Sequence, residues 1–275
     1  MKKIKPSISI MGCGWLGLPL GENLAQMGYQ VSGSTTNQSK LSIILEKNIK
    51  PYHLNFTPYA GANISSDFFD SKILIINIPP DRRVGIMGFY ITQIQEIVNF
   101  AKAGKTSKII FISSTSVYGE PNRDVYEEDE VVPVSEAGRA LVETEKFLLS
   151  LSGLNSTIIR FGGLIGNDRN PVKFFMGKTN LPNGRAPVNL IYLDDCIGII
   201  KSVIEREAWG EIFNACAEYH PEKQNYYTEV AKKMNLTVPV FLNELLSFKI
   251  IRSNKCKNQL NYIFKYPDPL EFPLD

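Results

Sequence analysis

A chain of 275 residues is long enough for one large domain, or one domain with a small appendage. Its 30 basic and 28 acidic side chains leave a formal net charge of +2. Lys and Arg nowhere gather into the dense basic stripe a nucleic-acid binder carries. The most apolar runs, Ile73 to Ile76 and Ile109 to Ile112, are strand-sized and far short of the ~20 residues a membrane-spanning helix needs. No stretch has the pattern of a signal peptide.

Lys2, Lys3 and Lys5 read as a solvated basic chain end. Cys13, Cys196, Cys216 and Cys256 are scattered without C-x-x-C spacing, as reduced thiols of a cytoplasmic protein would be. With only His53 and His220 available, no metal site is expected. A soluble cytoplasmic protein is predicted, with neither nucleic acid nor membrane as a partner.

In chain order, the first half alternates strand and helix signals, which predicts a parallel sheet covered on both faces. Ser7 to Met11 is a strand running into a glycine turn. Leu20, Leu24 and Met27 form a helical stripe closed by Gly28. Gln30 to Ser34 is a second strand, a polar helix follows from about Ser39, and Pro51 to Asn55 is a third strand. Lys72 to Ile78 is an almost unbroken apolar strand, as at the buried centre of a parallel sheet.

Ile91, Ile94, Val98 and Ala101 mark a helix ended by Gly104, and Lys108 to Ser114 is another central strand. Ser135 to Leu149 is helical and Thr157 to Phe161 a strand. Gly166 to Pro187, rich in Gly, Pro and Asn, forms an excursion over the carboxyl edge of the sheet. A helix over Asp194 to Glu205, with the two aspartates capping its start, and a strand over Glu211 to Cys216 complete the sheet. The fold class is therefore α/β, a Rossmann-type doubly wound parallel sheet. Its domain covers 1–217, and a small C-terminal lobe covers 218–275, with a helix near Gln224 to Met234.

The strongest motif is Gly12-Cys13-Gly14-Trp15-Leu16-Gly17, a G-x-G-x-x-G that follows a strand and opens a helix. Gly12 permits the tight turn, Gly14 lets backbone approach a pyrophosphate, and Gly17 lets the helix pack against the strand. Free N–H groups at the helix start face the phosphates. Cys13 and Trp15 fill shape around the turn, and Trp15 and Leu16 lie with the glycines at the cofactor. At the end of the second strand an NAD site normally places an acid on the ribose hydroxyls. Here Ser34, Thr35, Thr36 and Asn37 stand instead, with Lys40 beyond. NAD(P) is thus expected as cofactor, with the preference tipped toward NADP.

The stretch Ile112-Ser113-Ser114-Thr115-Ser116-Val117-Tyr118-Gly119, together with Arg160 to Gly166 and Asn189 to Asp195, resembles the extended short-chain dehydrogenase/reductase superfamily of nucleotide-sugar epimerases and dehydratases. Asn77-Ile78-Pro79-Pro80, Val188-Asn189-Leu190 and Tyr266 to Leu270 are more similar still to its atypical bacterial YeeZ-type members. The resemblance implies a cofactor flanked by Asn77, Ile78, Pro79, Ser113, Gly162 and Gly163, the last two bringing backbone to the nicotinamide amide. It also implies a homodimer built through helices flanking the sheet.

Catalytic members of the superfamily pair a strand-end hydroxyl with a Tyr and, four residues on, a Lys that lowers the Tyr pKa. By the same resemblance Ser114 takes the hydroxyl position, Ala137 the Tyr position and Leu141 the Lys position. Neither Ala nor Leu exchanges a proton. Only Tyr219 of the twelve tyrosines has a Lys four residues later, Lys223, and Pro221 between them opposes a helix.

The hydroxyls of Ser113 to Ser116 are read first as cofactor and loop hydrogen bonding, with Ser114 and Thr115 the candidates for a catalytic part. Tyr118, Arg169 and Lys178 are the candidates for contact with a small-molecule substrate or effector. Two functions remain open at this point: an unusual epimerase/dehydratase- or reductase-like enzyme, and a non-catalytic NAD(P)-binding sensor.

Overall fold

The computed structural model describes residues 5–56, 65–80 and 87–274, and of residues 87 and 88 only the backbone. Lys2 and Lys3 of the basic run lie outside the described residues. Among the described residues eleven strands and eight α-helices follow one another: β1 (Ile8–Met11), α1 (Gly17–Gln26), β2 (Val31–Thr35), α2 (Leu41–Glu46), β3 (Lys50–His53), β4 (Ile73–Ile76), α3 (Met87–Ala103), β5 (Lys108–Ser114), β6 (Asp124–Val125) and α4 (Glu136–Leu149). Then come β7 (Asn155–Phe161), β8 (Gly163–Ile165), α5 (Val172–Phe175), β9 (Leu190–Tyr192), α6 (Leu193–Glu205), β10 (Ile212–Ala215), α7 (Lys223–Lys233), β11 (Ile250–Ile251) and α8 (Asn254–Leu260).

Seven strands form one parallel sheet in the order β10-β7-β5-β4-β1-β2-β3. The order reverses after β1, which puts a topological switch point at the carboxyl ends of β1 and β4. Register aligns those ends, with Met11 opposite Ile76 and Ile76 opposite Phe111. Every residue of β1 and β4 is buried, as strands covered on both faces must be. Leu20 and Leu24 of α1 are fully buried, and Gly28 follows that helix at φ 86° in the left-handed region only glycine enters freely. Among the described residues no helix is long and apolar enough to cross a membrane.

Internal packing divides the chain into two compact units. The first holds 1–117, 133–159 and 203–212; the second holds 118–132, 160–202 and 213–275. The division is interleaved and not a single cut after residue 217. Two small parallel ribbons belong to the second unit, β8 with β9 and β6 with β11.

The aspartates expected to cap α6 from outside lie in its first turn. Asp195 is fully buried. It accepts hydrogen bonds from the Tyr262 hydroxyl (2.7 Å) and the backbone N–H groups of Lys265 (2.7 Å) and Tyr266 (3.0 Å). Its role is to fasten the C-terminal segment, and burial holds its carboxyl above the usual range. Gly198, one turn on, makes room for the same tyrosine: a Cβ there would sit 2.3 Å from the Tyr262 oxygen.

Candidate functional site

The glycine turn is built by close contacts on both flanks of an open middle. Gly12 has φ 101°, and a Cβ on it would stand 2.8 Å from the Asn77 carbonyl oxygen. At Gly17 a Cβ would come within 2.1 Å of the Gly12 carbonyl oxygen. At Gly14 a Cβ meets nothing within 4 Å. The outer glycines are therefore required by the protein itself, whereas the middle one leaves space that no atom of the described residues fills.

The turn is pinned to its neighbours. The Ser34 hydroxyl accepts from Gly12 N–H (3.1 Å), the Ser34 carbonyl from Cys13 N–H (2.7 Å), and the Asn77 amide donates to the Gly12 carbonyl (3.0 Å). Cys13 packs inward, where burial pushes its thiol up to about 12. Gly33 makes way for it, since a Cβ there would lie 2.4 Å from the sulfur. The α1 start has no side-chain cap and no acid in its first turn. A helix start so arranged presents N–H groups and partial positive charge to an anion, and with the space at Gly14 this fits a dinucleotide pyrophosphate.

Of the residues expected on the ribose, Ser34 is buried, its hydroxyl turned to Gly12 N–H and Met11 Sδ. Thr35 Oγ1 accepts from Asn37 N–H (3.1 Å), and Asn37 Oδ1 accepts from Ser39 N–H (3.0 Å) and its hydroxyl (2.8 Å). The Thr36 carbonyl lies 3.2 Å from His53 Nε2. These contacts shape a short polar rim at the end of β2 that contains no carboxylate. Asn77, Ile78 and Pro79 follow β4 beside the turn. Asn77 serves there as a clamp, and the Ile78 carbonyl accepts from the Tyr90 hydroxyl (2.9 Å).

After β5 the backbone makes a 3-10 turn over Thr115–Val117. The Ser113 hydroxyl points inward and donates to Glu145 Oε1 (2.5 Å), both residues being buried. Thr115 is buried as well. Ser114 is half-buried, and its oxygen accepts from Ser116 N–H (3.1 Å). That contact fixes the rotamer and leaves the Ser114 hydroxyl proton without a protein acceptor among the described residues.

Helix α4 packs directly on this turn. Ser135 caps it by accepting from Gly138 N–H (3.0 Å), and a Cβ on Gly138 would stand 2.6 Å from the Ser116 carbonyl oxygen. Along the same helical stripe stand Ala137, Leu141 and Glu145, four residues apart. Ala137 and Leu141, which the resemblance aligns with a Tyr and a Lys, thus lie on the helix that touches the hydroxyl turn. Glu145, the next member of the stripe, is the functional-looking residue that sequence reasoning missed. Its i+4 spacing from the buried Leu141 is the signal that could have found it.

In the second unit, Tyr118 is buried, and its phenol accepts from Arg160 and lies within hydrogen-bond distance of Asn214 Oδ1 (2.9 Å) and the Tyr126 carbonyl (3.0 Å). The phenol expected at a substrate is held inside this network, where burial raises its pKa. Glu127 joins it by accepting from Asn214 N–H (2.8 Å). Gly162 and Gly163 run beside Asn189, whose carbonyl accepts from Gly163 N–H (2.8 Å); a Cβ on Gly162 would sit 2.8 Å from that oxygen. Arg169 closes a tight turn with Gly166 through reciprocal backbone bonds of 3.0 and 3.1 Å. Lys178 is exposed, in a stretch whose backbone pairs with Val240. Among the described residues no three His, Cys, Asp or Glu side chains form a metal-binding group.

No protein-family model matches the chain. Solved structures share its fold over nearly the whole length. One is UDP-glucuronic acid 4-epimerase from Bacillus cereus in complex with NAD, with TM-score 0.81, 19% identity and coverage of 96% of this chain and 94% of that one. A functionally unknown conserved protein from Silicibacter pomeroyi gives TM-score 0.78 at 21% identity, covering 97% and 96%. A short-chain dehydrogenase/reductase superfamily protein from Agrobacterium tumefaciens with bound NAD gives 0.76 at 13%, covering 94% and 93%. The fold is accordingly that of the extended short-chain dehydrogenases/reductases and NAD-dependent epimerases. Within that class the sequence is 38% identical to Protein YeeZ of Escherichia coli K12 over 279 aligned positions, spanning all of both chains. The chain belongs to the YeeZ family.

Proposed function

We propose that this protein binds NAD(P) on the glycine turn and acts as an epimerase/dehydratase- or reductase-like oxidoreductase that works without a Tyr–Lys pair. The observation carrying the reading is the contrast within the turn: two glycines forbidden a Cβ by protein atoms, and Gly14 facing open space. Bound nicotinamide supplies the hydride acceptor or donor. Gly12, Gly14 and Gly17 hold the pyrophosphate against the start of α1. The polar rim from Thr35 to Asn37, with no carboxylate to repel a 2′-phosphate, favours NADP over NAD. Ser114, its rotamer set by Ser116 N–H and its own proton free, orients the reacting oxygen of a small carbonyl or alcohol substrate.

The proton itself is carried by a group other than residues 137 and 141. UDP-glucuronic acid 4-epimerase among the solved structures supports a sugar nucleotide as the substrate class. Arg169 and Lys178 are the cations assigned to its charged end, in a protein that works in the cytoplasm. A second reading, a non-catalytic NAD(P) sensor, is favoured by Leu141, buried and apolar where a lysine would act.

Turnover separates the two. NADPH is supplied with a panel of carbonyls and sugar nucleotides while absorbance of the reduced nicotinamide is followed. Consumption that Ser114→Ala abolishes supports the enzyme. No consumption by a protein that still binds cofactor supports the sensor. Tighter NAD than NADP binding by calorimetry overturns the cofactor preference.

A further inference from the structure

At the amino edge of the sheet, on the side away from the glycine turn, the first unit contains a cavity of about 450 Å³. That volume lies within the range of small-molecule sites. Six residues of strand rise separate Pro6, which lines it, from Gly12, roughly 20 Å along β1. Its walls carry three ammonium groups (Lys5, Lys72, Lys108), two carboxylates (Glu205, Glu207) and two aromatic rings (Tyr29, Trp209).

The cations are arranged around the rings. Lys108 Nζ lies 4.4 Å from the centroid of Trp209, and Lys5 Nζ lies 4.5 Å from that of Tyr29 while donating to the Met27 carbonyl (2.7 Å). Lys72 and Lys108 both line the cavity from the amino ends of neighbouring strands, where Lys108 stands opposite Ile73 and Ser107 N–H donates to the Lys72 carbonyl (3.1 Å). Neither Lys72 nor Lys108 forms an ion pair among the described residues. The Trp209 indole N–H is buried and finds no acceptor among the described residues. Lysines that have no carboxylate of their own and stand beside an aromatic wall gain by meeting an anion that carries a flat ring.

We infer that this cavity is a binding site for a nucleoside monophosphate, separate from the dinucleotide turn. Lys72 and Lys108 take the phosphate, Trp209 and Tyr29 flank the base, and Glu205 accepts from an exocyclic amine. An anion alone would leave Glu205 without a donor, and a neutral base alone would leave the two lysines without an anion.

The chain has two tryptophans, Trp15 at the glycine turn and Trp209 here, so Trp15→Phe leaves Trp209 as the sole emitter on excitation at 295 nm. The probe is AMP, titrated into the full-length Trp15→Phe protein, with inorganic phosphate and adenosine as its separate halves. The expected result is a saturable change in Trp209 emission with AMP. Each half should bind at least tenfold more weakly, and Lys72→Ala with Lys108→Ala should weaken AMP at least tenfold while the melting temperature is unchanged. Should that pair fail to fold, Glu205→Gln serves instead and is expected to weaken AMP relative to phosphate.

No saturable change up to 10 mM AMP (an order-of-magnitude ceiling for a small-ligand site) overturns the inference. So does an AMP signal that survives loss of both lysines, or phosphate binding as tightly as AMP. None of these outcomes depends on nicotinamide binding at the glycine turn.

Discussion

Two neighbouring regions of the first unit, the glycine turn after β1 and the hydroxyl turn after β5, differ in what surrounds them. Around the glycine turn every contact serves an absent middle: Ser34, Asn77 and the outer glycines fix the backbone and leave Gly14 open. Around the hydroxyl turn the contacts close inward, with Ser113 given to Glu145 and the helix face above it apolar. One turn is held to close tolerance around an open position, and the other is tied into the packing beneath it. The two are therefore expected to answer differently to substitution.

The comparison can be broken by substitution, taking the largest effect first. Gly17→Ala places a methyl 2.1 Å from the Gly12 oxygen, so helix and strand must part. We expect a loss of more than about 4 kcal/mol of stability, seen as a collapsed or absent unfolding transition in denaturant. A normally stable variant would mean the turn is slack.

Ser113→Ala removes a donor from the buried Glu145 carboxylate, and urea denaturation should show a loss of about 1–3 kcal/mol. An unchanged midpoint would move Ser113 back to the cofactor. Alkaline titration gives a smaller effect. The Cys13 thiol, ordinarily 9.0, is held at about 12 in the folded chain, so the unfolded chain gives up its proton first. The stability owed to this neutral thiol is complete below pH 9 and is lost as pH rises from 9 toward 12. Between pH 8 and 10.5 the parent should lose more stability than Cys13→Ala, and equal losses would show the thiol to be solvated. Ser114→Ala is the smallest: within about 0.5 kcal/mol in stability, because its oxygen makes one local contact on a half-exposed turn.

The sheet was legible because its signals are local. Apolar strands followed by a stripe of Leu20 and Leu24, and glycines at a strand-to-helix turn, each declare themselves within ten residues. The helix expected over Ser135 to Leu149 was legible too: α4 covers Glu136–Leu149, with Ser135 as its cap.

What escaped is non-local. The ribbons β6–β11 and β8–β9 are two and three residues long, too short for any periodicity to show, and they join segments as far apart as Asp124 and Ile250. Asp195 has the sequence signature of a cap, yet its partners lie about seventy residues later. Nothing near Tyr118 in sequence announces Arg160 and Asn214. Lys5, read as a solvated end, lies on Tyr29.

The measurement that bears most directly on this account is calorimetric titration of NAD+ and NADP+ into the parent and Gly14→Ala, each freed of copurified ligand, alongside their melting temperatures. Because a Cβ at residue 14 meets no atom of the described residues, the variant should melt with the parent and yet bind either nucleotide at least tenfold more weakly. A parent that ignores both nucleotides at millimolar concentration, or a variant that binds them as well as the parent does, would contradict it.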